Sequence, residues 1–156
     1  MKKFATLVCA LITTLCCVFS TNAQAQDVSL NDLREAVNEI NANCPTGDGD
    51  MDLLSCTLDN KNLCFSFILS EDPDDESFTI QEINEALKSE EGDALRATFL
   101  IGFLSEETSA GMILGAAQNN RGVSFKFISK KTKKSTSFTI SASEIKEVIQ
   151  YVLDEY

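Results

Sequence analysis

FSFILSEDPDDESFTI, residues 65–80, and FKFISKKTKKSTSFTI, residues 125–140, are two versions of one motif set 60 residues apart. Seven of the sixteen aligned positions are identical: Phe65/Phe125, Phe67/Phe127, Ile68/Ile128, Ser77/Ser137, Phe78/Phe138, Thr79/Thr139 and Ile80/Ile140. Apolar residues alternate at both ends of each copy, which is the period of a strand with one buried face. Charge fills the middle. Glu71, Asp72, Asp74, Asp75 and Glu76 in the first copy stand opposite Lys130, Lys131, Lys133 and Lys134 in the second, and Pro73 suits a tip rather than a strand. Each copy therefore reads as a strand, a charged turn and a returning strand, with Ser70 facing Ser77 across the first tip. A helical pattern follows each.

Working outward, Ser29-Leu30-Asn31-Asp32 opens a helix with Leu30, Leu33, Val37 and Ile40 on one face, ended by Asn41 to Pro45. A glycine and aspartate loop leads to a strand over 53–58 and a turn at Asp59 to Asn62, where Asn62 suits the left-handed position. Pairing Leu58 with Leu63 would put Leu54, Cys56 and Leu58 on the face of Phe65 and Phe67, with Cys64 pointing away. A helix from about Ile80 should break at Gly92, with Asp93 capping the next. Residues 105–122 admit two readings. Extending the repeat backwards makes 112–118 a strand, whereas Ala110, Ile113, Leu114 and Ala117 form a helical stripe, which is the preferred reading. Ser141 and Glu144 frame a capping box for a closing helix buried through Ile145, Val148, Ile149 and Val152. The fold class expected is α+β: an antiparallel β-sheet with helices packed on one face, built around two pseudo-repeated β-hairpin–helix units with cores at 63–87 and 123–149.

The N-terminus carries Lys2 and Lys3, an apolar run from Phe4 to Phe19, and Asn22-Ala23-Gln24-Ala25, the small-residue pattern of a signal peptidase site. Residues 1–25 thus read as a signal peptide and 26–156 as a single α+β domain without a membrane span, destined for the periplasm or the exterior of a Gram-negative cell. Cleavage removes two lysines and leaves 11 basic against 24 acidic residues, a net of −13. Residues 26–93 hold 18 acids and 3 bases, residues 94–156 hold 6 and 8. Nucleic acid is excluded as a partner, because its phosphates demand a dense basic surface. Three cysteines remain, Cys44, Cys56 and Cys64, so one chain cannot pair them all; any bridge would need Cys44.

The run Leu33-Arg34-Glu35-Ala36-Val37-Asn38-Glu39-Ile40-Asn41-Ala42-Asn43-Cys44-Pro45, the strand pair after it, Gly122-Val123-Ser124-Phe125-Lys126-Phe127 and the terminal Ser-Ala-Ser-Glu-Ile helix together resemble a family of small exported Bacteroidetes proteins of unknown function. The resemblance covers nearly all of residues 26–156. It implies this fold and export, and no activity, ligand or catalytic residue.

The chain has no histidine, which removes Ser-His-Asp and Cys-His nucleophiles and the commonest zinc ligands together. No nucleophile elbow, phosphate loop or dinucleotide fingerprint occurs. A carboxylate-pair hydrolase is disfavoured by the lack of tryptophan and by having only Tyr151 and Tyr156 to line a sugar cleft. Asp48, Asp50 and Asp52 are spaced as calcium ligands, but Leu53 stands where such a loop needs glycine and Asp59 where it needs glutamate. No cofactor is expected, calcium being the one candidate. The leading expectation is an exported, non-enzymatic interaction protein whose contacts are Glu71, Asp72, Asp74, Asp75 and Glu76 on one tip and Lys130, Lys131, Lys133 and Lys134 on the other. These would meet an envelope partner or a second copy in a salt-sensitive way. The alternatives are a small-ligand or weak calcium binder and, last, the hydrolase.

Overall fold

The offset that relates the two copies is also the register of the sheet. The computed structural model describes residues 27–71 and 78–155. Its elements run α1 (Leu30–Ala42), β1 (Met51–Leu58), β2 (Asn62–Leu69), α2 (Ile80–Lys88), α3 (Gly92–Leu104), α4 (Glu107–Gln118), β3 (Gly122–Ser129), β4 (Ser135–Ile140) and α5 (Ala142–Glu155). The four strands lie in the order β1-β2-β3-β4. β2 and β3 are parallel neighbours, and every residue of β2 from Asn62 to Leu69 pairs with the residue 60 positions later, Phe65 with Phe125 and Phe67 with Phe127. β1 and β4 flank them antiparallel.

The α+β class stands, and the sheet is mixed rather than wholly antiparallel. Identical side chains in equivalent places make identical faces, so setting the copies side by side in parallel aligns two aromatic ladders. Phe65 stacks on Phe125 at 5.9 Å and Phe67 on Phe127 at 5.6 Å, ring centre to ring centre. From α3, Phe103 meets Phe125 at 5.0 Å and Phe99 meets Phe127 at 5.2 Å, while Phe138 of β4 lies 5.3 Å from Phe125. Seven of the eight phenylalanines after residue 25 thus join one aromatic cluster, each ring removing on the order of 150 to 250 Å² from water.

The pairing also explains where the hairpin expected in the first copy went. In the second copy, Ser137-Phe138-Thr139-Ile140 returns along β3 on the side away from β2. The matching side of β2 is occupied by β3 itself. The matching residues at 78–80 therefore have no edge to pair with. Phe78 and Thr79 lie outside any strand, and Ile80 opens α2 with Thr79 as its cap, Thr79 Oγ1 accepting from the Glu82 N–H and Glu82 returning the bond. Ser77 lies outside the described residues. By the same argument residues 112–118 cannot be a strand, because β2 fills the place beside β3 where they would lie, and they are helical as the alanine-rich stripe required.

Local expectations mostly follow from the sequence. Ser29 and Asp32 form a capping box on α1, and Ser141 and Glu144 another ahead of α5. Asp93 does not cap; α3 begins after Glu91 without a side-chain cap. The turn before β2 is held by the Asp59 carboxylate, which accepts from the Lys61 and Asn62 N–H groups, and Asn62 is not left-handed. A bulge between Leu53 and Ser55 puts Leu53 opposite Phe67 and turns Leu54 outward, 39% exposed. Cys56 keeps its predicted inward place. At the β1 edge, Asn41 accepts from the Cys56 N–H and donates to its carbonyl, both at 2.7 Å, so α1 closes a strand edge that would otherwise invite another chain. Among the described residues no helix is long and apolar enough to cross a membrane.

Phe78 and Phe138 sit in the same four-residue sequence, so truncating each isolates the effect of topology. Phe138, 5% exposed, should cost about 3–5 kcal/mol as Phe138→Ala. Phe78, 52% exposed, should stay within about 0.5 kcal/mol as Phe78→Ala. Urea midpoints of the two variants check this, and equal losses would contradict the topology.

Candidate functional site

Parallel strands end on the same side, so β2 and β3 bring Glu71 and the basic tip at 130–134 to one end of the sheet. The loop before β1 comes to that end too: the Ser70 N–H donates to the Asp50 carbonyl at 2.9 Å, and the Lys130 N–H to the Leu69 carbonyl at 2.9 Å. Three charged segments separated by up to 80 residues in sequence become neighbours.

Glu71 stitches them. Its backbone is left-handed, with φ 53°, costing roughly 1–2 kcal/mol for a residue with a Cβ. The carboxylate offsets that strain twice. Oε1 accepts from the Ile80 N–H at 2.8 Å, satisfying a free donor at the start of α2, and Oε2 accepts from Ser129 Oγ. Ser129 is fully buried on the helix-covered face opposite Leu69, and its Oγ also accepts from the Thr132 N–H at 2.9 Å, holding the basic tip. Lys131 Nζ completes the link by donating to the Glu71 carbonyl.

Of the residues singled out in sequence, Glu71 and Lys131 therefore meet within one chain. Lys130, Lys133 and Lys134 are exposed on the same tip, and Lys133 takes the left-handed turn position, φ 61°. Asp72, Asp74, Asp75 and Glu76 lie outside the described residues. In the Asp48 to Asp52 loop, Asp48 Oδ1 accepts from the Asp50 N–H at 3.1 Å and Asp52 Oδ1 from the Gly49 N–H at 2.9 Å. These carboxylates brace their own turn. Among the described residues no three acidic or cysteine side chains gather as a metal would require.

Helix α2 separates two clefts that the sequence did not reveal. On one side is a polar cleft of about 540 Å³ reaching from Glu71 and Lys131 past Asn84 to Lys88. On the other an apolar groove of about 440 Å³ runs between α2 and α3, with Phe78 at its wall. The groove follows from the displaced return strand: a ring assigned to the core by its sequence repeat is left at the surface. The signal was present in the repeat, since one strand edge cannot serve two partners, but it needed the strand order to be read.

No family model matches the chain, and no curated protein matches it by sequence. The fold has precedent. A Pseudomonas aeruginosa chain described as a candidate secreted protein is similar with a TM-score of 0.52 at 11% identity, over 74% of this chain and 90% of that one. A pilotin from the Vibrio vulnificus type 2 secretion system is similar with a TM-score of 0.44 at 11% identity, over 74% and 93% of the two chains. The first likeness shows a shared fold alone, and the second is too distant to add to it.

Cys44, Cys56 and Cys64 are all unbridged, with Cys56 inside the core and Cys64 on the opposite sheet face, as strand alternation requires. Burial, with smaller repulsion from Cys64 and Cys44, pushes the Cys56 thiol up to about 12. Its folded value is raised, so this thiol favours the folded state below the unfolded value of about 8.5, and the benefit is lost as pH rises from there towards 12. Alkylation of residues 26–156 at pH 8 should label Cys44 and Cys64 while Cys56 reacts only after unfolding; rapid labelling of Cys56 in the native protein would contradict its burial.

Glu71→Ala should destabilise the fold by about 1–3 kcal/mol, since it strips a bond from buried Ser129 and leaves the Ile80 N–H without its acceptor. Lys131→Ala, at an exposed contact, should cost under about 1 kcal/mol. Thermal melts of both variants check the order, which reverses if the tips are held by charge rather than by the Glu71 carboxylate.

Proposed function

We propose that this chain is an exported, non-enzymatic interaction protein that engages another macromolecule with the end of the sheet where the Glu71 and Lys131 tips meet. The observation that carries this reading is the convergence of the loop at Asp50, of Glu71 and of the basic tip on one end of a sheet locked by aromatic packing. Loops held by a rigid scaffold are where binding residues concentrate. The lysine, apolar-run and alanine pattern of the first 25 residues supports export. The absence of histidine, and the engagement of both Glu71 oxygens in structural bonds, speak against catalysis at this end. Exposed pairs of opposite charge contribute about 0–1 kcal/mol each and are screened by salt, so a tip-mediated contact needs several of them and weakens as salt rises.

The test uses residues 26–156 immobilised and exposed to envelope extract from cells that make the protein. A partner is expected to be retained at low salt, released at high salt, and lost from the variant in which Lys130, Lys131, Lys133 and Lys134 are all changed to Gln. Retention that ignores both salt and these substitutions would move the contact away from the tips. Light scattering of the same protein at the two salt concentrations separates a second copy from a foreign partner. A melting point raised by calcium would instead favour the Asp48, Asp50 and Asp52 loop as a ligand site.

A further inference from the structure

The groove between α2 and α3 deepens this reading and rests on it. At 52%, Phe78 is more exposed than Met51 and Leu54, the other large apolar side chains at the surface of the described residues. It flanks a groove whose base is made by buried Ile83 and Leu95 and whose sides are Ala86 and Ala94. Alanines on both sides keep the helices from filling the space between them. Above this apolar lining stand Glu82 and Glu91, both exposed. The surrounding sequence is one-sided in charge: from Glu71 to Leu95 there are ten acidic residues and a single base, Lys88.

We propose that this groove is the docking site for an amphipathic segment of a partner protein, apolar on the face it turns inward and rich in lysine or arginine on its flanks. Each half of that description follows from the groove. An apolar lining rewards side chains such as leucine or phenylalanine at about 25 cal/mol for every Å² removed from water. An acidic rim favours a basic segment and rejects an acidic one. A cleft of about 440 Å³ between helices is of the size that takes a few anchoring side chains, and an amphipathic helix supplies them at i, i+3 or i+4, and i+7. Phe78 is available as a contact because β3 occupies the strand position that its twin Phe138 enjoys. The divergence of two identical SFTI segments thereby creates the site.

The test selects displayed random peptides about 15 residues long, enough for four helical turns, on residues 26–156 at moderate salt. Peptides with apolar residues spaced three or four apart and basic residues between them are expected to be enriched. The best of them, labelled and titrated by fluorescence anisotropy, should bind Phe78→Ser and Ala94→Arg about tenfold or more weakly. Both substitutions are at exposed positions, and urea melts verify that the variants fold. No enrichment, enrichment of acidic peptides, or binding unchanged in both variants overturns the inference. So does a dimer in light scattering that Phe78→Ser dissolves, since the occupant would then be a second copy. The variant with all four tip lysines changed to Gln keeps the two levels apart. If the peptides fail while the envelope partner is still lost from that variant, the groove inference falls and the binding reading survives. If neither ligand is held, both fall.

Discussion

The parallel pairing of β2 with β3 at an offset of 60 residues is the contact on which the rest of the molecule depends. It sets two near-identical strands side by side, so that phenylalanine falls beside phenylalanine along the buried face and Ile68 beside Ile128 on the other. Helix α3 then lays Phe99 and Phe103 across both ladders. The order of events in the chain follows, because a parallel neighbour cannot be reached by a tight turn and needs a long crossover. Residues 70–121 provide it, and three helices occupy that crossover.

The same pairing sets the limits of the repeat. A strand has two edges, and joining the copies through β2 and β3 consumes one edge of each. The first copy thereby loses its return strand and the second its leading strand. What would have been a strand at residues 78–80 becomes a helix start, and what would have been a strand at residues 112–118 becomes α4. An internal duplication is thus converted into a molecule whose halves differ. Phe138 is in the core and Phe78 lines an open groove.

Charge is arranged around that asymmetry. Glu71 and the basic tip leave the sheet at one end, and the Glu71 carboxylate holds the start of α2 and the buried hydroxyl of Ser129 while Lys131 reaches its backbone. Ser129 stands where the first copy has Leu69, an exchange of a hydrocarbon for a hydroxyl that is intelligible only because Glu71 is there to receive it. The opposed tips, which by sequence invite contact between molecules, are linked within one chain at Glu71 and Lys131. The groove on the far side of α2 is rimmed by Glu82 and Glu91.

The sequence by itself determined the local elements and the faces they bury. Period-two alternation placed Phe65, Phe67, Phe125 and Phe127 inward, the capping boxes at Ser29 and Ser141 marked helix starts, and alanine spacing made residues 107–118 a helix; all are interactions between residues close in the chain. Only the tertiary structure decided which strand edges meet, that the central pair is parallel, and hence that Phe78 and Phe138 part company. A β-strand's side chains are governed by its own sequence, whereas its hydrogen-bonding edges are shared with whichever segment arrives, and two identical segments competing for one edge cannot both be satisfied. The candidate site was legible only as charge on two tips. Its groove, its stitch at Glu71 and the gathering of three loops at one end were set by that competition.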